Sequence, residues 1–401
     1  MTAPTTAIAV LITTLVALGP LSTDFYLPSL PSITAALNTD VASTQLTLSV
    51  FLVGFGVGQL GYGPLSDRFG RRPVLLVGLV LYVLASIACT FAPDIGTLIV
   101  ARFVQALGAC AGPVLGRAIV RDLYGPQESA RILSYMGAAM AIAPLVGPVF
   151  GGALTVWFGW RATFVFLTAF SFVQAILVWR MLGESNRHRD PDGLRPGRIA
   201  SNFRALLGDR LYRGVLWCNG FSYASLFAFI SGSPFVFINL FGFSPQAMGL
   251  AFGVMVSGYI AGTTLSGRLS RRLGAPRLLA FGAVLQAVAG MAMLALTVAG
   301  PHHPASVMVP MWFAAGGLGL VMPNAMAIGM GPYPKMAGSA ASLMGFVQMS
   351  LAALVGMAVG HSLNASAAPM AVAIAGSGLA CLASYLLWVR PALREGARAA
   401  S

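Results

Sequence analysis

Runs of roughly 20 residues without a charged side chain recur along the whole of this chain, and few folds tolerate them. TQLTLSVFLVGFGVGQLGYGPL, residues 44–65, is one such run. A helix rises about 1.5 Å per residue, so roughly 20 residues cover the ~30 Å hydrocarbon layer of a bilayer. A soluble domain carries about 25% charged residues, because its surface faces water. Here 9% of 401 residues are charged. The chain therefore reads as an all-α polytopic membrane protein. An open sheet would leave backbone groups unpaired in lipid, and a barrel would show short alternating strands.

Apolar runs and turn signals together predict twelve helices, over 7–35, 44–65, 74–92, 97–118, 132–153, 162–182, 212–232, 247–268, 276–299, 306–328, 339–360 and 369–389. Of 24 Lys plus Arg, 22 fall on one side of this arrangement, in the loops after even-numbered helices and at the C-terminus. The positive-inside bias then puts that side, and both termini, in the cytoplasm of a bacterial inner membrane. The remaining two are Arg102, inside the fourth helix, and Arg161, at the start of the sixth.

The same distribution disposes of nucleic acid as a partner. The formal net charge of +13 is spread through short clusters between helices, with no basic arm or base-stacking surface. Cys89, Cys110, Cys218 and Cys381 lie within apolar runs without metal-ligand spacing, so they read as packing residues. No metal or cofactor is expected. A cleaved leader needs a basic first region, but the first basic residue is Arg68, so the first run is expected to remain a span.

A polar stretch over 183–211 separates six predicted helices from six more. It implies three parts: a bundle over 1–182, a cytoplasmic linker over 183–211, and a bundle over 212–401. The halves share a weak repeat, GPLSDRFGRR at 63–72 and GRLSRRLGAP at 267–276, each after the second helix of its half. Two related six-helix bundles are a secondary-transporter architecture.

The first repeat copy contains Gly63, Leu65, Asp67, Arg68, Gly70, Arg71 and Arg72. Glycines permit a tight loop, and Asp67 with the arginines can make charge-assisted hydrogen bonds between helix ends. This spacing resembles the signature loop of the major facilitator superfamily, which implies a conformational latch. The second copy has Arg271 where the acid stands, so a latch there is expected to be weaker. Leu98, Arg102 and Gln105, followed by Gly108, are similar to the arginine motif of proton-coupled members, with Ala106 where a glycine is usual. GPVFGG, with Gly147, Pro148, Gly151 and Gly152, resembles the motif of the antiporter branch. With TDFYLPSLP, RAIVRDLYG, GWRATF, SGSPFVFINLFGFSP and MPNAMA, nearly the whole chain resembles the bicyclomycin-resistance and chloramphenicol-exporter (Bcr/CflA) branch of drug:proton antiporters.

Eleven acids occur: Asp24, Asp40, Asp67, Asp94, Asp122, Glu128, Glu184, Asp190, Asp192, Asp209 and Glu395. Only Asp24 falls well inside a predicted span. A carboxyl there is costly unless paired, hydrated or protonated, which makes it a functional candidate. Counting the helical rise places Asp24 and Arg102 at similar depth, where they are expected to meet if the first and fourth helices face each other. A carboxyl alternately wetted and desolvated can load and release a proton. Asp24 is thus the expected proton carrier, and Arg102 the residue that tunes it.

One acid and one base leave a nearly neutral cavity, suited to amphiphilic or zwitterionic molecules. Phe25, Tyr26, Tyr135, Met136, Phe227, Asn324 and Gln348 are its candidate lining, since aromatic and Met side chains accept varied shapes. Arg117 faces either the inner mouth of the cavity or the membrane surface. The expected function is proton-coupled export of drug-like molecules by a single chain, with a dedicated exporter of an amino acid or small peptide as the alternative. An enzyme is disfavoured, because His188, His302, His303 and His361 lie in unrelated loops and ends.

Overall fold

The apolar runs all become helices, because a helix satisfies every backbone group within its own segment. The computed structural model describes residues 6–186, 190, 195–299, 303–333, 336–362 and 366–399. The helices are α1 Thr6–Ala36, α2 Val41–Phe69, α3 Arg71–Thr90, α4 Ile95–Leu123, α5 Pro126–Phe158 and α6 Arg161–Met181. They continue with α7 Arg210–Leu240, α8 Pro245–Leu273, α9 Ala275–Ala299, α10 Ala305–Met330, α11 Ala337–Ser362 and α12 Ala368–Glu395. By length and composition eleven of them can cross a membrane, and α5 carries a shorter apolar segment, Val146–Phe158.

Three acids cap the helix that directly follows them in the sequence. Asp40, Asp94 and Asp209 accept from the backbone N–H groups of Ser43 (2.7 Å), Thr97 (2.8 Å) and Tyr212 (2.9 Å), at the starts of α2, α4 and α7. Each satisfies a donor that the first turn of a helix leaves unpaired. The Ser43 and Thr97 N–H groups hold the Asp40 and Asp94 carboxyls below the usual carboxylate range. Arg161, at the start of α6, caps the C-terminal end of α3. Its guanidinium donates to the carbonyls of Thr90 (3.1 Å) and Ala92 (3.3 Å).

Helix faces follow what each must touch. On α3, Leu75, Leu79 and Tyr82 are buried, whereas Val77, Val80 and Leu84 are exposed apolar side chains, as a lipid-facing stripe requires. Small residues set the spacing of α3 and α4: a methyl on Gly108 would lie 2.6 Å from both the Gly78 carbonyl and the Tyr82 nitrogen.

The signature stretch is mostly not a loop. α2 continues helically through Asp67 to Phe69, and the chain reverses at Gly70 alone, whose φ of 105° suits glycine. The second copy behaves alike, with α8 running to Leu273 and Gly274 turning at φ 76°. α1 is interrupted by a 3-10 turn over Leu27–Ser29, where Pro28 and Pro31 remove backbone donors.

The chain divides into two compact units, Met1–Arg198 with Ser244–Leu250, and Ile199–Phe243 with Ala251–Ser401. The expected linker contains a helix, Pro196–Gly208, whose Leu206 is buried in the second unit beside Tyr212, Val215, Leu343 and Val389. Linker residues 187–189 and 191–194, which include His188 and Asp192, lie outside the described residues, as does His302.

Candidate functional site

Asp24 is buried, 3% exposed, and its neighbour across the helix interface is the GPVFGG stretch of α5. A methyl on Gly147 would lie 2.6 Å from the Asp24 Cβ, and one on Gly151 would run into the Phe25 carbonyl. Two of the motif's glycines therefore let α5 close on α1 at the acid. Asp24 Oδ1 accepts from Thr23 Oγ1 at 3.3 Å, and Oδ2 is buried without a hydrogen-bond partner.

Arg102 is wholly buried, yet among the described residues no carboxylate pairs with it. Its guanidinium carbon lies 4.3 Å from the ring centre of Phe51, 4.6 Å from Tyr26 and 5.9 Å from Phe164. Nη1 donates to Gln105 Oε1 at 2.6 Å, whereas Nε and Nη2 have no hydrogen-bond partner. Gln105 Nε2 donates to Ser86 Oγ at 2.7 Å, which joins the cation to α3. Aromatic faces stabilise a desolvated cation by roughly 2 kcal/mol or more.

The expected pairing of Asp24 with Arg102 does not form. Tyr26 stands two residues after Asp24, which is about 200° around a helix. Tyr26 stacks on the arginine, its hydroxyl 2.6 Å from Thr47 Oγ1, so the aspartate is carried round to α5. Similar depth is what counting the helical rise leads one to expect; the rotation that separates the two groups could not be read that way.

The signature residues form a second, denser constellation. Arg71 bridges helices: it pairs with Asp67 of α2, donates to Ser66 Oγ at 2.6 Å, and donates to Asp122 of α4 at 3.1 Å. Glu184, just after α6, caps α3 by accepting from the N–H groups of Arg71 (2.9 Å) and Arg72 (3.3 Å). Arg72 Nη2 donates to the Trp179 carbonyl at 2.7 Å. Asn186 and Asp190 bond the α2 C-terminus through the Asp67 carbonyl, at 3.1 and 3.0 Å. Arg68 lies over the Phe69 ring, outside this cluster, and a methyl on Gly63 would meet nothing within 4 Å. Glu184, Asn186 and the Asp122 partnership were missed from sequence, since nothing in their spacing ties them to the motif.

The sequence matches the pattern described as Major Facilitator Superfamily over residues 12–357 and 237–400. It is 31% identical over 355 residues to a bicyclomycin resistance protein homolog of Haemophilus influenzae, covering 88% of each chain. It is 34% identical over 307 residues to a chloramphenicol resistance protein of Pseudomonas aeruginosa, covering 75% of this chain and 71% of that one. The chain belongs to the major facilitator superfamily. These relatives put it in the bicyclomycin- and chloramphenicol-resistance branch. A crystal structure of a D-xylose-proton symporter shares the fold, with a TM-score of 0.71 at 17% identity over 96% of both chains. The protein is thus a twelve-helix membrane transporter and not an enzyme.

As a major facilitator it needs surfaces that contact cargo, and the seven expected lining residues are scattered. Phe25 stacks on Phe166 at 5.0 Å, and Tyr26 holds Arg102. Met136 is buried beside Gly116, whereas the neighbouring Tyr135 is 49% exposed and accepts from Arg131 at 2.9 Å. In the second unit Phe227 is wholly buried. Asn324 donates to Ser266 Oγ at 2.7 Å, and Gln348 accepts from Asn219 at 2.8 Å. Asn219 was not among the expected residues. Arg117 is exposed, with Nε donating to the Pro113 carbonyl at 2.8 Å.

Proposed function

We propose that this transporter is a proton-coupled multidrug antiporter, exporting amphiphilic drug-like molecules across the bacterial inner membrane. The observation that carries the proton coupling is Asp24, a carboxyl buried inside a span with one oxygen unbonded and, among the described residues, no cation paired with it. Desolvation favours a neutral acid and hydration favours a carboxylate, so alternating exposure to the two sides loads and releases one proton per cycle. Proton entry from outside then drives the exchange. Gly147 of α5, packed on Asp24, ties its exposure to movement between α1 and α5. Arg102, held among aromatic rings, acts as a fixed positive centre in α4 and not as the counter-ion of Asp24. The resistance-protein relatives support drugs as cargo.

In this reading the Arg71 cluster is the latch that holds the cytoplasmic ends of α2, α3 and α4 together until the cycle breaks it. Both termini are cytoplasmic, the protein works as a monomer without cofactor, and nucleic acid is not a partner. The deciding measurement is drug-induced proton release from purified protein, over a chemically varied panel. Release for several unrelated amphiphiles is expected. Release for one compound class alone would point to a dedicated metabolite exporter, and no release for any would refute proton antiport.

A further inference from the structure

Between Arg213 and Arg268, and from Leu278 to Val389 apart from Lys335, the second unit's sequence has no Asp, Glu, Lys or Arg. Recognition by the interior of this unit therefore runs through neutral hydrogen bonds. Most of its buried polar groups are already occupied. Ser222 donates to Gln286 Oε1 at 2.8 Å, Asn324 donates to Ser266 Oγ, and the Tyr212 hydroxyl donates to the Ala340 carbonyl at 2.7 Å. Among the described residues of this unit, Asn219 Oδ1 is the one buried side-chain oxygen or nitrogen without a hydrogen-bond partner.

Its surroundings explain what such a group is for. Asn219 lies on α7, 1% exposed, and its Nδ2 donates to Gln348 Oε1 on α11 at 2.8 Å. One residue along, Gly220 brings the two helices together, since a methyl there would lie 2.7 Å from Leu351 Cδ1. Among the described residues, the pair leaves an acceptor free on Asn219 and the amide N–H groups free on the half-buried Gln348. Turning both amides over interchanges these roles and still leaves one acceptor beside one donor. An unmet buried acceptor costs about 1–3 kcal/mol, so α7 and α11 carry an expense that packing does not need.

We propose that Asn219 and Gln348 form a subsite for a neutral carboxamide or lactam of the transported molecule. The ligand N–H donates to the Asn219 oxygen, and the ligand carbonyl accepts from the Gln348 amide. This rests on the efflux reading above and names the cargo chemistry within it. An ester or ketone of the same shape satisfies Gln348 but leaves Asn219 unmet.

The test uses purified full-length protein in lipid nanodiscs and two probes, N-(1-naphthyl)acetamide and 1-naphthylacetone, which differ by N–H against CH2. Wild-type protein is expected to bind the amide about tenfold more tightly, the worth of one hydrogen bond. Asn219→Leu should bind both at the ketone's affinity and unfold at no lower temperature, because the unmet amide is gone. Gln348→Leu should weaken both probes, and it carries the test if Asn219→Leu does not fold. Equal affinities in the wild type, equal weakening of both probes by Asn219→Leu, or unchanged binding in Gln348→Leu would overturn the subsite. Export of other amphiphiles without amide preference sinks this inference alone. Export of no compound at all sinks the efflux reading with it.

Discussion

Asp24 and Gly147 pack so closely that a single methyl group on the glycine would lie 2.6 Å from the aspartate Cβ. The proposed proton carrier on α1 and the antiporter motif on α5 are thus one interface. Gly147→Ala forces the two helices apart at the acid, and overpacking of this kind costs about 1–3 kcal/mol. Thermal unfolding in detergent should fall accordingly, with export lost at the same time. Gly63→Ala is the control: open space surrounds it and helical Gly→Ala is favourable, so its unfolding temperature should hold or rise.

Asp24→Asn keeps the shape and the Thr23 contact but cannot release a proton. The variant should fold and insert like the wild type and still bind drug, while proton-driven export falls to background. Retained uphill export in proteoliposomes under a pH gradient would rule out Asp24 as the carrier.

Arg102→Lys keeps the charge and loses the flat guanidinium that lies against Phe51 and Tyr26 and reaches Gln105. Lysine is not a conservative replacement at a stacked site. A drop in export of about tenfold or more is expected, equivalent to about 1.4 kcal/mol. Gln105→Leu, which removes one hydrogen bond and leaves the rings, should lose less, as initial-rate export assays would register.

Glu184 reaches two backbone N–H groups of α3 across more than a hundred residues of sequence. Removing a helix cap costs about 1 kcal/mol, so Glu184→Ala should unfold earlier and expose the α3 start to hydrogen exchange. Gly70→Ala should be worse. Its φ of 105° strains any other residue, and the added methyl would strike the Glu184 carboxylate.

Asp209 supplies a pH dependence outside the spans. Burial alone would raise its pKa, but the Tyr333 hydroxyl at 2.6 Å and the Tyr212 N–H outweigh it and hold the carboxyl below the usual range. The same contact, with burial the larger cause, pushes the Tyr333 hydroxyl up to about 12. A carboxyl depressed on folding adds stability above its unfolded value of about 4, lost as pH falls through the folded value. The wild-type unfolding temperature should therefore drop on acidification below about pH 4. Asp209→Asn should start lower at neutral pH and drop less.

Much of this protein is local chemistry and was legible residue by residue. Twelve helices follow from apolar run length against the thickness of hydrocarbon. The family followed from Asp67, Gly70 and Arg71 at fixed spacing, and from GPVFGG in the fifth span. Even the α1 break was visible in Pro28 and Pro31.

Partner choice was not. Arg102 and Asp24 were expected to meet, yet helix rotation delivers one to Phe51 and Tyr26 and the other to Gly147. Glu184 looked like an ordinary linker acid until the fold carried it to the start of α3. Sequence by itself determined which segments enter the membrane, because transfer into lipid depends on each segment's own composition and length. Only the tertiary structure decided which buried polar groups meet, because that depends on the angle at which each helix presents its face to the next.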